Sequence, residues 1–170
     1  MTSEIILRAM LVGLGATLVL DLWALARRRF FGVPSLDYAL VGRWLGHMGQ
    51  GRVRHAAIGK APVVRGERLL GWGCHYLIGV LFAGAMLVAV GPQWLCRPSL
   101  LPALLLGLLS VAAPLLLMQP AFGMGLAASR LPNPWQVRLR SLLSHLVFGL
   151  GIYLVGWGAA QLPATSLCAV

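Results

Sequence analysis

The chain has 170 residues, 59% of them hydrophobic and only 11% charged, a balance that excludes an ordinary soluble domain of this size. Its formal net charge of +10 would suit a nucleic-acid binder, but the basic residues flank long apolar runs, so they read as membrane anchors and no nucleic acid is expected. Strict alternation is absent and the apolar runs are unbroken, so helices rather than a barrel satisfy the backbone in lipid.

The first span covers about residues 4–26, long enough to cross a bilayer. Ala24-Leu25-Ala26 imitates a signal-peptide cleavage site, but Arg27, Arg28 and Arg29 follow the apolar run instead of preceding it. Asp21 and Trp23 interrupt the would-be cleavage region, so an uncleaved helix is expected. A basic loop of residues 27–68 follows. Within it Leu36, Leu40, Val41, Trp44, Leu45 and Met48 keep helical spacing after Ser35, a suitable N-cap. Asp37, Arg43 and His47 fall off that stripe, which predicts a short amphipathic helix at the membrane interface. Residues 49–67, with their Gly, Pro and scattered charge, read as loop.

The second span runs over about 69–90 and stops at Gly91-Pro92; the third covers about 99–118, with Pro114 expected to kink it. Residues 119–140 form an irregular connection, with a half-helix expected around Met124–Leu131. The fourth span covers about 141–161. The fold expected is therefore all-α: one membrane domain over 1–170, an integral bundle of four transmembrane helices with an interfacial helix in its first cytoplasmic loop.

Charge orients this bundle. Of the 14 Lys and Arg residues, nine lie between the first and second spans: Arg27, Arg28, Arg29, Arg43, Arg52, Arg54, Lys60, Arg65 and Arg68. Arg130, Arg138 and Arg140 lie between the third and fourth, which leaves Arg8 and Arg97 for the other side. The positive-inside rule then places both connections in the cytoplasm and both termini outside. Cys96 and Cys168 share that outer side, which allows a disulfide between them, while Cys74 sits near the cytoplasmic boundary and stays reduced.

Counted inward from the basic flanks, Asp21, His75 and His145 each lie roughly 8–10 Å inside the cytoplasmic boundary. Gln119, at the inner end of the third span, comes near the same layer. Small residues share their faces: Gly13 and Thr17 with Asp21, Gly71 and Gly79 with His75, Gly149 with His145, and Ala103, Gly107 and Ser110 on the third helix. Membrane helices approach closely along such faces, and ionisable residues within spans turn toward the interior. The group reads either as a structural network or as a proton- or solute-linked site. No His or Cys spacing supports a metal centre, and no cofactor is expected.

A second set, Arg43, Arg65 and Arg138, has the chemistry to grip an anionic lipid headgroup or a phosphorylated substrate, against the plainer reading of interfacial anchoring. Glu67 is expected to pair with a neighbouring arginine. Ser35, Ser129 and Ser144 lack a nucleophile elbow, and Gly123-Met124-Gly125 is too short for a phosphate loop.

Several strings are shared with a known family: Asp21-Leu22-Trp23-Ala24, Gly42-Arg43-Trp44-Leu45-Gly46-His47-Met48, Arg65-Gly66-Glu67 with Gly71-Trp72 and His75-Tyr76, and Met118-Gln119-Pro120 with Gly123, Gly125 and Ala127-Ala128-Ser129. Over nearly the whole chain the sequence resembles the bacterial membrane-protein family of domain of unknown function 2938. The resemblance implies a protein of the bacterial inner membrane, and it carries no activity or catalytic residue with it. Three functions fit: a small transport or accessory protein with its polar site at Asp21, His75 and His145; a membrane enzyme acting on a lipid-linked or phosphorylated substrate; or a non-catalytic scaffold. The enzyme is the less favoured reading, and a working pore of four helices would need a homo-oligomer.

Overall fold

In the computed structural model, which describes residues 2–162, every regular element is helical. Four helices are long and apolar enough to cross a membrane: α1 (Thr2–Phe31), α3 (Glu67–Val90), α4 (Leu100–Ala121) and α5 (Pro134–Ala160). The fifth, α2 (Tyr38–Met48), is the short helix expected in the first connection. Asp37 caps it rather than Ser35, its carboxylate accepting from the Ala39 N–H at 3.0 Å. Cys168 and its expected bridge to Cys96 lie outside the described residues; Cys74 is a free thiol.

The ends of these helices follow from backbone chemistry. α1 runs through Arg27, Arg28 and Arg29, because arginine is a good helix former and favours the C-terminal end of the dipole. It stops where Gly32 turns the chain at φ 63°. Gly91, at φ 90°, ends α3 just before Pro92, and α5 opens on Pro134, whose missing N–H costs nothing in a first turn. Within α4, residues Ala113–Met118 adopt the wider π-helical form around Pro114. Proline cannot donate a backbone hydrogen bond, and the Gln119 N–H reaches back five residues to the Pro114 carbonyl. The half-helix expected near Met124–Leu131 is a single 3₁₀ turn at Leu126–Ala128, with Ala127 and Ala128 both at positive φ.

The chain divides into two compact units. The first comprises Met1–Val33, Tyr76–Ser110 and Ser144–Val170, and in it the described parts of α1, α3, α4 and α5 share one core. That core is built from small residues at the crossings: Ala16, Ala83 and Ala103 have no exposed surface, and Thr17 has almost none. A methyl added at Gly13 would sit 2.5 Å from the Val80 Cα, and one at Gly107 would sit 2.5 Å from the His145 carbonyl. Larger side chains fill the space between the crossings, Trp94, Leu95, Phe148 and Ile152 among them, while Leu7, Leu25, Leu81, Val88, Leu101 and Leu109 are all well exposed. Small residues at the crossings with leucines exposed outside them suit helices that pack in lipid, where apolar surface has no reason to hide.

The second unit comprises Pro34–His75 and Val111–Leu143. Its core holds Val41, Ile58, Ala121 and Phe122, with Trp44 set edge-on to Phe122 at 5.8 Å between ring centres. α2 lies directly against the start of α3: Gly42 faces the Glu67 carbonyl and Gly71 faces the Tyr38 carbonyl, approaches that any Cβ would block. The loop after α2 is bound down through its backbone. His55 N–H donates to the Ala121 carbonyl at 2.8 Å and Ile58 N–H to the Phe122 carbonyl at 3.1 Å.

Candidate functional site

In the first unit, two of the expected polar residues meet hydroxyl groups on other helices. The Tyr76 phenol on α3 donates to Asp21 Oδ2 on α1 at 2.9 Å. Both residues are half-buried, so the carboxylate keeps a hydrogen-bonding partner where water is scarce. On α4 the Ser110 hydroxyl lies 2.8 Å from the Gly107 carbonyl and 2.7 Å from His145 Nδ1 on α5. A serine has one proton to give. When it goes to the Gly107 carbonyl, Nδ1 must carry the imidazole proton, and Nε2 is left as the ring's basic nitrogen. Gly107 lets α4 and α5 come close enough for this bond.

Arg8 is also buried in this unit, its Nε 3.3 Å from Glu4 Oε1 and its Nη1 donating to the Ala159 carbonyl at 3.4 Å. One of the two bases assigned to the outer side is thus turned inward, onto the last turn of α5.

In the second unit, His75 sits among aromatic rings. It stacks on Tyr38 at 4.1 Å between centres, with Trp72 edge-on at 5.8 Å. Gln119 is buried, its amide nitrogen 3.5 Å from the Ser141 hydroxyl, while its Oε1 has no hydrogen-bond partner among the described residues.

The arginines expected to grip an anion have different fates. Arg43 makes a two-pronged pair with Glu67, Nε to Oε2 and Nη2 to Oε1, both at 2.8 Å. Its Nη1 donates to the Gly59 and Ala61 carbonyls at 3.3 Å each. The carboxylate holds the Arg43 guanidinium pKa above its ordinary value, chiefly through these hydrogen bonds. Four of its five N–H donors therefore serve the protein itself. Arg138 Nε donates to the Ala127 carbonyl at 2.8 Å, bracing the left-handed Ala127–Ala128 turn. Arg65 is exposed.

Sequence reasoning missed a histidine pair in this unit. His47, expected to fall off the apolar stripe of α2, is buried, and its Nδ1 lies 3.2 Å from His55 Nε2. Its own Nε2 lies 3.0 Å from the Pro62 carbonyl. A carbonyl can only accept, so His47 Nε2 carries a proton. In the neutral pair, His55 Nε2 then donates to His47 Nδ1. His55 lies in a loop with no periodicity, and only the fold brings it within reach. Among the described residues no three His, Cys, Asp or Glu side chains are grouped to hold a metal ion.

The chain belongs to the family of proteins of unknown function DUF2938, which matches residues 10–159. No curated protein and no solved structure matches it. The match takes in both hydroxyl-bonded pairs, the Arg43–Glu67 pair and the His47–His55 pair.

Proposed function

We propose that this protein is a small transport or accessory protein of the bacterial inner membrane, with a proton-responsive polar site near the cytoplasmic ends of its spans. In this reading residues 27–68 and 119–140 face the cytoplasm and both termini face the periplasm, as the distribution of Lys and Arg favours. The observation that carries it is the setting of Asp21 and His145. Each is an ionisable side chain within an apolar span, bonded to a hydroxyl on a neighbouring helix. Hydroxyls can either give or take a proton in a hydrogen bond, so Tyr76 and Ser110 can follow a change of charge on their partners. Ionisable groups kept in spans at such cost are the usual marks of a proton or solute path.

The test uses the full chain reconstituted in vesicles loaded with a pH-reporting dye, with an imposed pH gradient as the driving force. Asp21→Asn and His145→Gln should each slow proton entry by about a hundredfold, the effect of one positioned proton-transfer group at the low end. Circular dichroism should find both variants folded. Wild-type rates equal to those of empty vesicles would refute the reading, as would folded variants that conduct at the wild-type rate.

A further inference from the structure

We propose that the loop after α2 forms a binding cleft for a phosphate ester, separate from the polar residues of the spans and independent of the function proposed above. The cleft has a volume of about 310 Å³, and its charged lining consists of Arg52 and Lys60, with His47 and His55 beside them. Ala56 and Pro62 are among its apolar wall residues. No carboxylate lines it among the described residues. Of the two acids in the same unit, Glu67 is held by Arg43 and Asp37 caps α2.

The cleft is held in shape before any ligand arrives. Arg52 N–H donates to the His47 carbonyl at 2.9 Å, and His55 N–H to the Ala121 carbonyl at 2.8 Å. Arg43 holds the carbonyls of Gly59 and Ala61 on either side of Lys60. His47 ties down Pro62 and, through its other nitrogen, the His55 ring. A loop pinned at these points loses little freedom on binding, which is what makes a small charged ligand worth holding.

The chemistry selects the ligand. Arg52 offers a planar fork and Lys60 a compact charge, the two standard ways of meeting phosphate oxygens. His55 Nε2 is engaged with His47, and its Nδ1 is buried with no hydrogen-bond partner among the described residues. The alanine and proline surface favours a phosphate that carries carbon, an ester rather than the bare ion.

Such an ester could be a lipid headgroup or a soluble metabolite, and the experiment distinguishes them. The full-length protein in a neutral detergent is titrated calorimetrically, at fixed ionic strength, with glycerol 3-phosphate and with short-chain phosphatidic acid; short-chain phosphatidylcholine is the control. Binding of both phosphate monoesters identifies a soluble ester site, and binding of phosphatidic acid alone identifies a headgroup site. In either case Arg52→Gln and Lys60→Gln should weaken binding by about tenfold each, the loss of one charge-assisted contact. Both side chains are exposed, so these variants should fold. Arg28→Gln, an exposed charge outside the cleft, should leave affinity unchanged. The proposal is overturned if neither ester binds, or if Arg28→Gln weakens binding as much as Arg52→Gln, which would mark diffuse attraction.

Discussion

Four acidic side chains serve a chain with fourteen Lys and Arg residues, so each carboxylate is worth following. Glu67 accepts from both prongs of Arg43 and from the Val64 N–H at 3.0 Å, so it joins α2, α3 and the strand of loop between them. The two side chains are only 11% and 13% exposed, which places the pair among those whose disruption is felt. Glu67→Gln should cost about 2 kcal/mol, the range for a hydrogen bond to a charged group, read as a lowered thermal midpoint in mild detergent. A double variant, Arg43→Met with Glu67→Met, should lose less than the two single changes summed; full additivity would show that the pair is not coupled. Sequence reasoning expected an arginine near Glu67 in the chain, but the true partner stands 24 positions away. Scarcity of acid was visible; the folding-back of α2 onto α3 was not. The same holds for Asp21 and His145. Their cost inside a span drew attention to them, whereas Tyr76 as a donor is one phenol among other aromatic residues of α3.

The four spans were legible as elements because apolar runs of about 20 residues have no other common use. Their ends were less so. α1 continues to Phe31 and α5 begins at Pro134, since charged residues do not interrupt a helix and merely move it out of the hydrocarbon. α2 was visible from its apolar stripe, and its cap moved from Ser35 to Asp37 because both side chains can serve and local geometry decides. The docking of residues 49–66 was not visible at all, because it runs through backbone groups that every residue carries. Gly42 governs the packing of α2 on α3, lying where a Cβ would overlap the Glu67 carbonyl. Gly42→Ala should therefore pry α2 from α3 at a cost of about 1–3 kcal/mol, the usual penalty for overpacking. Limited proteolysis would detect it as faster cutting between residues 49 and 66, with the spans left intact. An unchanged cutting rate would mean that α2 is free to shift without loosening the loop.

At the scale of the whole molecule, the proposed orientation makes a simple demand on reporters. Alkaline phosphatase fused after Gly91 should be active, and a fusion after Gly49 inactive, because that enzyme works only on the oxidising side. The reverse pattern would invert the assignment of sides and with it the cytoplasmic location of the polar site. Both connections would then have to carry their arginines against the usual charge bias. The first unit's close crossings at small residues, beneath an exposed layer of leucines, have their own consequence for how this protein can vary. In a water-soluble domain the interior forgives nothing that removes bulk and the surface forgives nearly everything. Here the penalties trade places: trimming Leu81 or Leu101 exchanges one hydrocarbon neighbour for another, whereas a single methyl added at Gly13 or Gly107 collides with backbone. The tolerance map of this chain should therefore add to the buried Trp94, Phe148 and Ile152 a second set of intolerant sites at its smallest residues, and forgive its exposed leucines.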